Sequence, residues 1–372
     1  MRYYLIAGEA SGDMHSANLM EQIKQKDKHA HFRFWGGDRM QMQGGELVRH
    51  YKYHAFMGFA EVLLNFRIIL KNLNQCKKDL LRFKPDLLIL VDYPGFNMRI
   101  AAFAQKNGFK VAYYISPQIW AWRESRVKKI KKTVDRMFVI LPFEKDFYRK
   151  HNMQVDFVGH PLLDELGRRN QNFDKERFKT DHQLDERPLI ALLPGSRKQE
   201  IKRMLPVMVK VSKKFPGYQF VIAGTDHIPQ KLYGDIIGNQ DVKLIINQTY
   251  PVLQMAHAGM ITSGTASLEA ALFRVPQLVM YKAAVLSYLI AKQLVKLDYI
   301  SLANLVLNKP IFKEFIQQDC SVKNVAEELQ RLINDENTRN TMLENYELLK
   351  EKLGGEGASE RAAGEMAELA RH

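Results

Sequence analysis

The stretch AGMITSGTASLEAALFRVPQLVMY, residues 258–281, decides the fold class of this chain. An apolar strand ends near Thr262, and after a Ser-Gly-Thr turn the apolar positions recur at the spacing of a helix. A second apolar strand follows Pro276, at residues 278–281. Strand, helix and strand in this order predict an α/β fold with a parallel sheet.

The turn inside this stretch is a candidate nucleotide site. Gly264 lets the backbone approach a ligand at the carboxyl end of the strand. We expect Ser263 or Thr265 to cap the helix, and the backbone N–H groups there, up to Ala266, to attract an anion. Glu269, one turn into the helix, is placed to accept hydrogen bonds from a ribose. The alternative is an ordinary crossover, which any α/β protein contains.

Composition limits the classes of protein that the chain can belong to. Its 372 residues favour two domains, and 46% hydrophobic with 26% charged residues is typical of a soluble globular protein. No apolar run approaches ~20 residues and the N-terminus enters a strand directly, so neither a spanning helix nor a signal peptide is expected. Cys76 and Cys320 stand apart, which favours a reducing compartment and argues against structural zinc. The formal charge of +14 indicates an anionic partner.

The first half holds two polar turns that follow buried strands. The strand at residues 2–7 ends at a turn with Glu9, Ser11 and Gly12, whose GxxxG spacing fits neither the dinucleotide fingerprint nor the P-loop. The apolar strand at residues 85–91 delivers Asp92 to its carboxyl end, where open α/β sheets bind ligands. Asp92 is therefore a candidate general base, or else the cap of a helix that begins after Asn97.

Two segments are candidates for contact with a membrane or with acyl chains. Residues 56–73 predict an amphipathic helix, which either packs on the sheet or exposes Phe56, Met57 and Phe59 to lipid. The second candidate is a basic helix that begins near Arg126 and follows two tryptophans, Trp120 and Trp122. The alternative for this helix is a solvated face.

The second half repeats the pattern of strands and helices after a polar stretch at residues 168–187. The strand at 188–193 leads into Gly195, Ser196 and Arg197, and this arginine is placed to neutralise a diphosphate. No DxD pair is present to hold magnesium, so we expect neither a metal nor a cofactor. The pattern predicts two doubly wound, Rossmann-like domains that face each other across a cleft. Their predicted bounds are 1–165 and 166–345, followed by a helical tail at 346–372; whether this tail packs on the first domain is left open.

Seven motifs, in order along the chain, resemble the bacterial lipid-A-disaccharide synthase family. They are AGEASGD at 7–13, SPQIWAWR at 116–123, LPFEKDFY at 141–148, VGHP at 158–161, LPGSR at 193–197, SGTASLEAAL at 263–272 and LVKLDYISLANLV at 294–306. The resemblance implies an inverting glycosyltransferase of the GT-B class. Its reaction joins UDP-2,3-diacylglucosamine to 2,3-diacylglucosamine 1-phosphate (lipid X), forms a β-1,6 disaccharide and releases UDP.

The resemblance also assigns roles to residues. The base falls on Asp92, the phosphate-binding arginine on Arg197, and the nucleotide site on Glu269 and Asn304. Glu9 and Ser11 fall in the loop on the acceptor side. Two departures from the family pattern matter. The family's DxPDFN is DYPGFN here, so Gly95 removes a second acid, and its SLPN is SLAN before the retained Asn304.

Anionic lipid substrates account for the positive charge and predict attachment to the cytoplasmic face of the inner membrane. A homodimer is left open. Besides a lipid-binding module without catalysis, two rival functions remain at this point. One is a UDP-sugar 2-epimerase on the same fold, which needs paired acids in the cleft. The other is nucleic-acid binding, which the charge permits but which no stacking motif, zinc signature or helix-turn-helix supports, so no nucleic-acid partner is expected.

Overall fold

The computed structural model describes residues 1–53, 66–121, 124–169, 173–284 and 298–372. Within these ranges, helices follow strands almost throughout, and every strand pairing is parallel. The chain divides into two units, the first made of residues 1–167 and 353–372, and the second of residues 168–352.

The first unit is built on a parallel sheet whose strands run in the order β3-β2-β1-β4-β5-β6-β7. These strands are β1 Arg2–Ala7, β2 His31–Gly36, β3 Glu46–His50, β4 Leu87–Val91, β5 Val111–Tyr114, β6 Arg136–Val139 and β7 Asp156–Phe157. The helices between them are α1 Ala10–Lys26, α2 Asp38–Met42, α3 Phe66–Phe83, α4 Pro94–Lys106, α5 Val127–Thr133, α6 Pro142–Lys150 and α7 Leu162–Arg169.

The central strands of this sheet are buried on both faces, as their unbroken apolar sequence predicts. Every residue of β4 is fully buried, and its alternate side chains enter two apolar clusters on opposite faces of the sheet. Leu88 and Leu90 pack in one cluster, and Leu87 and Ile89 in the other. Burial on both faces leaves the polar chemistry to the strand ends.

The second unit has a sheet in the order β10-β9-β8-β11-β12-β13. Its strands are β8 Leu189–Leu193, β9 Gln219–Gly224, β10 Val242–Ile246, β11 Ala256–Thr262, β12 Gln277–Tyr281 and β13 Glu314–Ile316. Its helices are α8 Lys175–Asp181, α9 Lys198–Ser212, α10 Gln230–Ile237, α11 Thr249–Met255, α12 Thr265–Leu272, α13 Leu302–Leu307, α14 Val322–Asn334 and α15 Glu336–Lys352.

A final helix, α16 Ala358–Arg371, belongs to the first unit. Its Ala362, Ala363 and Met366 enter the apolar cluster that also holds α1 and one face of the sheet. The carboxylate of Asp164, on α7, accepts the backbone N–H groups of Gly357 at 2.6 Å, of residue 358 at 3.1 Å and of residue 359 at 2.8 Å. One side chain thus caps the helix start in place of a local capping residue.

Several predicted bounds differ from the structure. The helix expected at 56–73 is described only from Phe66, and it continues to Phe83 because Leu73, Cys76 and Leu80 extend its buried face. The polar stretch at 168–187 contains α8, capped by Asp174, rather than linker alone. The second unit ends at residue 352 rather than 345, because α15 continues to Lys352.

Among the described helices, none has the length and apolar character needed to span a bilayer. Cys76 and Cys320 are both buried and free. The expected cleft concerns the arrangement of the two units and stays a prediction.

Candidate active site

Both sheets have a topological switch point, where consecutive connections leave in opposite directions. In the first unit it lies between β1 and β4, and in the second between β8 and β11. Open α/β sheets bind ligands outside the carboxyl ends of the strands at such points. The predicted catalytic and phosphate-binding residues of both halves follow these four strands.

Glu9 and Asp92 lie near each other at the switch point of the first unit. Ala7 and Val91 are paired at the ends of β1 and β4, so the turns that carry the two acids start side by side. Both side chains are half-buried. Burial raises the pKa of Asp92 to about 7, and the negative charge of Glu9 adds to the shift. The two carboxyls therefore form an interacting pair with a perturbed proton affinity.

The backbone at Asp92 has an uncommon conformation. Asp92 and Tyr93 both lie in the left-handed region, with φ of 43° and 49°. Helix α4 begins directly afterwards at Pro94, without a side-chain cap, so Asp92 is not the helix cap that the alternative required. The ring of Tyr93 covers Gly8 so closely that a Cβ there would lie 2.3 Å from it. The turn thus needs glycine at position 8 and sends the chain sharply away from the sheet.

The turn after β2 is held by a residue that sequence reasoning missed. Asp13, buried in α1, accepts the backbone N–H groups of Gly37 at 2.6 Å, Arg39 at 3.1 Å and Met40 at 3.2 Å. Its only sequence signal is the acidic position in AGEASGD. Of the predicted acceptor-side residues nearby, Ser11 is exposed and Gly12 is buried against β1.

The second switch point brings the two predicted phosphate-binding turns together. Leu193 pairs with Ile261, so residues 194–197 and 263–265 leave adjacent strands at the same sheet edge. Gly195 has a φ of +102°, and the Glu200 carboxylate accepts the backbone N–H groups of Ser196 at 3.1 Å and Arg197 at 3.2 Å. The Arg197 guanidinium, 59% exposed, donates to Glu200 at 3.0 Å.

The cap of α12 differs from the prediction. Neither Ser263 nor Thr265 caps this helix, because its N-cap position is Gly264, with φ of 148° and no side-chain hydrogen bond. The Ser263 hydroxyl instead donates to the Ile300 carbonyl at 3.2 Å. Gly264 and Thr265 are exposed and Ala266 is half-buried, so the helix start is accessible to an anion.

The two residues expected at the nucleotide have different surroundings. Glu269 is half-buried, accepts a hydrogen bond from the Tyr250 hydroxyl at 3.1 Å, and has a pKa raised by burial. Asn304 is fully buried, and its amide donates to Glu314 at 2.9 Å and to Phe312 while accepting from the Ile311 N–H. These bonds occupy the Asn304 amide within the protein, so it shapes the 300–312 segment rather than facing a ligand here.

The predicted membrane contacts are only partly described. Phe56, Met57, Phe59 and Trp122 lie outside the described residues. Trp120 donates its indole N–H to Glu144 at 3.3 Å and packs edge-on against Phe143. Arg126 is half-buried, and its positive charge lowers the otherwise raised pKa of Tyr113, which places it near the carboxyl edge of β5.

Within the ranges that the structure covers, no group of three or more histidine, cysteine or carboxylate side chains is arranged to hold a metal ion. The expectation of a reaction without a metal stays a prediction.

Solved structures with a similar fold include a UDP-GlcNAc 2-epimerase and a glycosyltransferase. A UDP-GlcNAc 2-epimerase from Neisseria meningitidis bound to UDP-GlcNAc matches with a TM-score of 0.72 and 15% identity, covering 99% of this chain and 100% of that one. The glycosyltransferase of kitacinnamycin matches with a TM-score of 0.66 and 15% identity, covering 99% and 98%. The prediction of two doubly wound α/β domains of the GT-B class is confirmed.

Sequence comparison is more specific than the fold. The family model described as lipid-A-disaccharide synthetase matches residues 3–367. A lipid-A-disaccharide synthase of Syntrophus aciditrophicus is 39% identical over 366 residues, which are 96% of this chain and 95% of the relative. One of Coxiella burnetii is 37% identical over 364 residues, or 96% of each chain. The resemblance read from the seven motifs is thereby confirmed, and the chain belongs to the lipid-A-disaccharide synthase family.

Proposed function

We propose that this chain transfers 2,3-diacylglucosamine from UDP-2,3-diacylglucosamine to lipid X, with inversion at the anomeric carbon. The acceptor 6-hydroxyl oxygen forms the new β-1,6 bond to that carbon, the bond to the UDP oxygen breaks, and UDP leaves. The hydroxyl proton passes to a base on the enzyme. This assignment rests on family membership over almost the whole chain.

Asp92 is the proposed base and Glu9 its partner. An acceptor hydroxyl is a very weak acid, so a carboxylate with a pKa raised to about 7 removes its proton more effectively than an ordinary carboxylate does. The negative charge of Glu9 supports this shift. Ser11 and Gly12 belong to the same turn and complete the proposed acceptor side.

Arg197 and the start of α12 are the proposed binders of the UDP diphosphate. An exposed guanidinium and the N-terminus of a helix both stabilise negative charge that grows on a leaving group. Gly195, Ser196 and the 263–266 turn supply the backbone around them. Glu269 is the proposed ribose contact, and Asn304 is proposed to act indirectly by shaping the neighbouring segment.

The single observation that carries the site assignment is the coincidence of motif and topology. Glu9, Asp92, Arg197 and the 263–266 turn, which come from motifs in both halves, follow the four strands that border the two switch points. A crossover turn chosen without regard to function would fall there no more often than elsewhere.

The remaining parts of the proposal concern surroundings rather than chemistry. We propose that the enzyme works at the cytoplasmic face of the inner membrane, held there by its positive charge and by exposed lysines on α5. Neither a metal nor nucleic acid takes part, and a homodimer stays open.

Release of UDP from UDP-2,3-diacylglucosamine tests this proposal when it is measured with and without lipid X, in the presence of EDTA. We expect UDP to be released only when lipid X is present, with a β-1,6 disaccharide 1-phosphate as the second product. Absence of that product, or loss of activity in EDTA, would contradict the proposal.

The same experiment also tests the alternative that the chain is a UDP-sugar 2-epimerase. The Glu9–Asp92 pair meets the requirement for paired acids, so that criterion no longer separates the two functions. Family membership favours the transferase. Incubation with UDP-GlcNAc alone should leave its C2 configuration unchanged by NMR, whereas a 2-epimer would favour the alternative.

A further inference from the structure

Asn97 forms hydrogen bonds to both strands that precede the Glu9–Asp92 pair. It lies in the first turn of α4 and is fully buried. Its amide nitrogen donates to the carbonyls of Asp92 at 2.8 Å, Val91 at 3.2 Å and Ile6 at 3.4 Å. Ile6 belongs to β1 and Val91 to β4, so one side chain spans the ends of both strands.

Tyr113 donates a hydrogen bond to the Asp92 carbonyl from β5, which borders β4 on the side opposite to β1. It is fully buried on β5, and its hydroxyl donates to the Asp92 carbonyl at 2.5 Å. The backbone N–H of Asp92 still donates to Tyr114 at 3.0 Å, within the sheet. The peptide groups of Asp92 are thus held by three neighbours, on β5 and α4.

These bonds matter because the backbone of Asp92 is strained. A left-handed aspartate followed by a left-handed tyrosine persists only when surrounding groups hold it. The carbonyl of Asp92 leaves the sheet at this point and would otherwise be a buried acceptor without a ladder partner. Asn97 and Tyr113 satisfy it, and in doing so they set the direction in which the carboxyl leaves the turn.

We propose that Asn97 and Tyr113 are positioning residues for the transfer reaction, because together they fix the left-handed turn from which the Asp92 carboxyl projects near Glu9. Neither residue needs to touch a substrate. The proposal rests on the proposed function, in which Asp92 is the base.

Several charged or titratable groups surround the Asp92 turn; Glu9 acts on the pKa of Asp92 itself, whereas the others act on Tyr93 or Tyr113 beside it. They are Glu9 from the turn after β1, Tyr93 beside it, Tyr113 from β5, Arg126 near Tyr113, and Arg99 on α4 near Tyr93. A variant that loosens the turn increases the access of water and the distance from Glu9. Both changes lower the pKa of Asp92 toward that of an ordinary aspartate.

Tyr113→Phe is the sharpest variant, because it removes one hydroxyl and leaves the ring in the core. Tyr114→Phe is the matched control, since Tyr114 is the next residue, equally buried, and packs on the other face of the sheet. We expect Tyr113→Phe to lower kcat about tenfold with KM for the UDP-sugar unchanged. The acid limb of its pH–rate profile should move to lower pH by about one unit, whereas Tyr114→Phe should keep both.

Asn97→Ala provides a second, larger change. It removes all three donated bonds, and we expect kcat to fall by roughly 10²-fold because the carboxyl is misplaced. Circular dichroism and thermal unfolding of each variant report whether it is folded. If Asn97→Ala does not fold, Tyr113→Phe still tests the proposal.

The outcomes separate this inference from the proposed function. If the wild-type enzyme makes no disaccharide, the proposed function itself is wrong. An active wild type with Tyr113→Phe and Tyr114→Phe alike in kcat and in pH profile would overturn the positioning role. A fall in kcat without movement of the acid limb would also overturn it, because a purely structural loss has that signature.

Discussion

The roles proposed for Asp92 and Arg197 need opposite surroundings, and the fold provides both at strand ends. A base that removes a hydroxyl proton benefits from burial, which raises the pKa of Asp92 to about 7. A guanidinium that binds a diphosphate must stay accessible, and Arg197 is 59% exposed. We therefore expect different consequences from the loss of Asp92 and from the loss of Arg197.

Replacing Arg197 by alanine should lower kcat by roughly 10²–10³-fold, because the leaving diphosphate loses its cation. The loop should keep its shape, since Glu200 still accepts the backbone N–H groups of residues 196 and 197. Steady-state UDP release measures the effect. Arg177→Ala, an exposed arginine of the same unit, is the control. Activity of Arg197→Ala within a few-fold of wild type would contradict the assigned role.

Asp92→Asn should lower kcat by roughly 10²–10⁴-fold with UDP binding retained, because the amide keeps the shape but cannot accept the proton. In the wild type, kcat should rise with pH through about 7, as the raised pKa of Asp92 requires deprotonation of the base. The control is Asp86→Asn, an exposed acid close to the start of β4. Near-normal turnover in Asp92→Asn would move the base to Glu9.

Individual residues show where sequence reasoning stops. The positions of Asp92 and Arg197 after buried strands were readable, because strand ends are visible as the limits of apolar runs. The bonds of Ser263 and Asn304 were not, since Ser263 bonds to Ile300, 37 residues further on, and Asn304 bonds to Glu314 across a turn of ten residues. Hydrogen bonds of this kind leave no local pattern.

At the scale of elements, burial decides what the sequence reveals. β1 occupies the predicted residues, and β4, β8 and β12 lie within two residues of their predicted bounds, because their apolar runs are continuous. β3 and β13 were not predicted. β3 is a half-exposed edge strand with charged residues, and β13 has three residues. Neither carries enough apolar sequence to separate it from a loop.

The capping of α16 by Asp164 makes a prediction about this element alone. Asp164→Ala leaves three backbone N–H groups without their acceptor, which should weaken the helix by about 1–2 kcal/mol. Hydrogen exchange followed by mass spectrometry should then show residues 358–371 exchanging roughly 5- to 30-fold faster. Asp164→Asn keeps one acceptor oxygen and should change less. Equal exchange in all three proteins would show that apolar packing alone holds the helix.

At the scale of the whole molecule, the excess of 55 basic over 41 acidic residues acts as a long-range attraction for anionic surfaces. Lys128, Lys129 and Lys132 are exposed on α5, while Val127 and Ile130 hold the helix to the sheet. Arg126 is set apart from this group, because its charge acts on Tyr113.

Changing Lys128, Lys129 and Lys132 to glutamine should weaken sedimentation with phosphatidylserine-containing vesicles by about tenfold or more, since each lysine contributes about 1 kcal/mol near such a surface. Added salt should reduce wild-type binding in the same way. The control changes Lys210, Lys213 and Lys214, which are exposed lysines of the second unit. Binding that is equal on neutral vesicles and insensitive to salt would exclude the electrostatic attachment.

The return of α16 to the first unit has a consequence for how the protein is made. Residues 358–371 leave the ribosome after all of residues 168–352, although they complete an apolar cluster begun by residues 1–23. The second unit can therefore fold during translation, while one face of the sheet of the first unit stays partly uncovered until α16 has been synthesised. Chaperones that bind nascent chains should find their exposed surface on that face, where Ala362 and Met366 will finally pack.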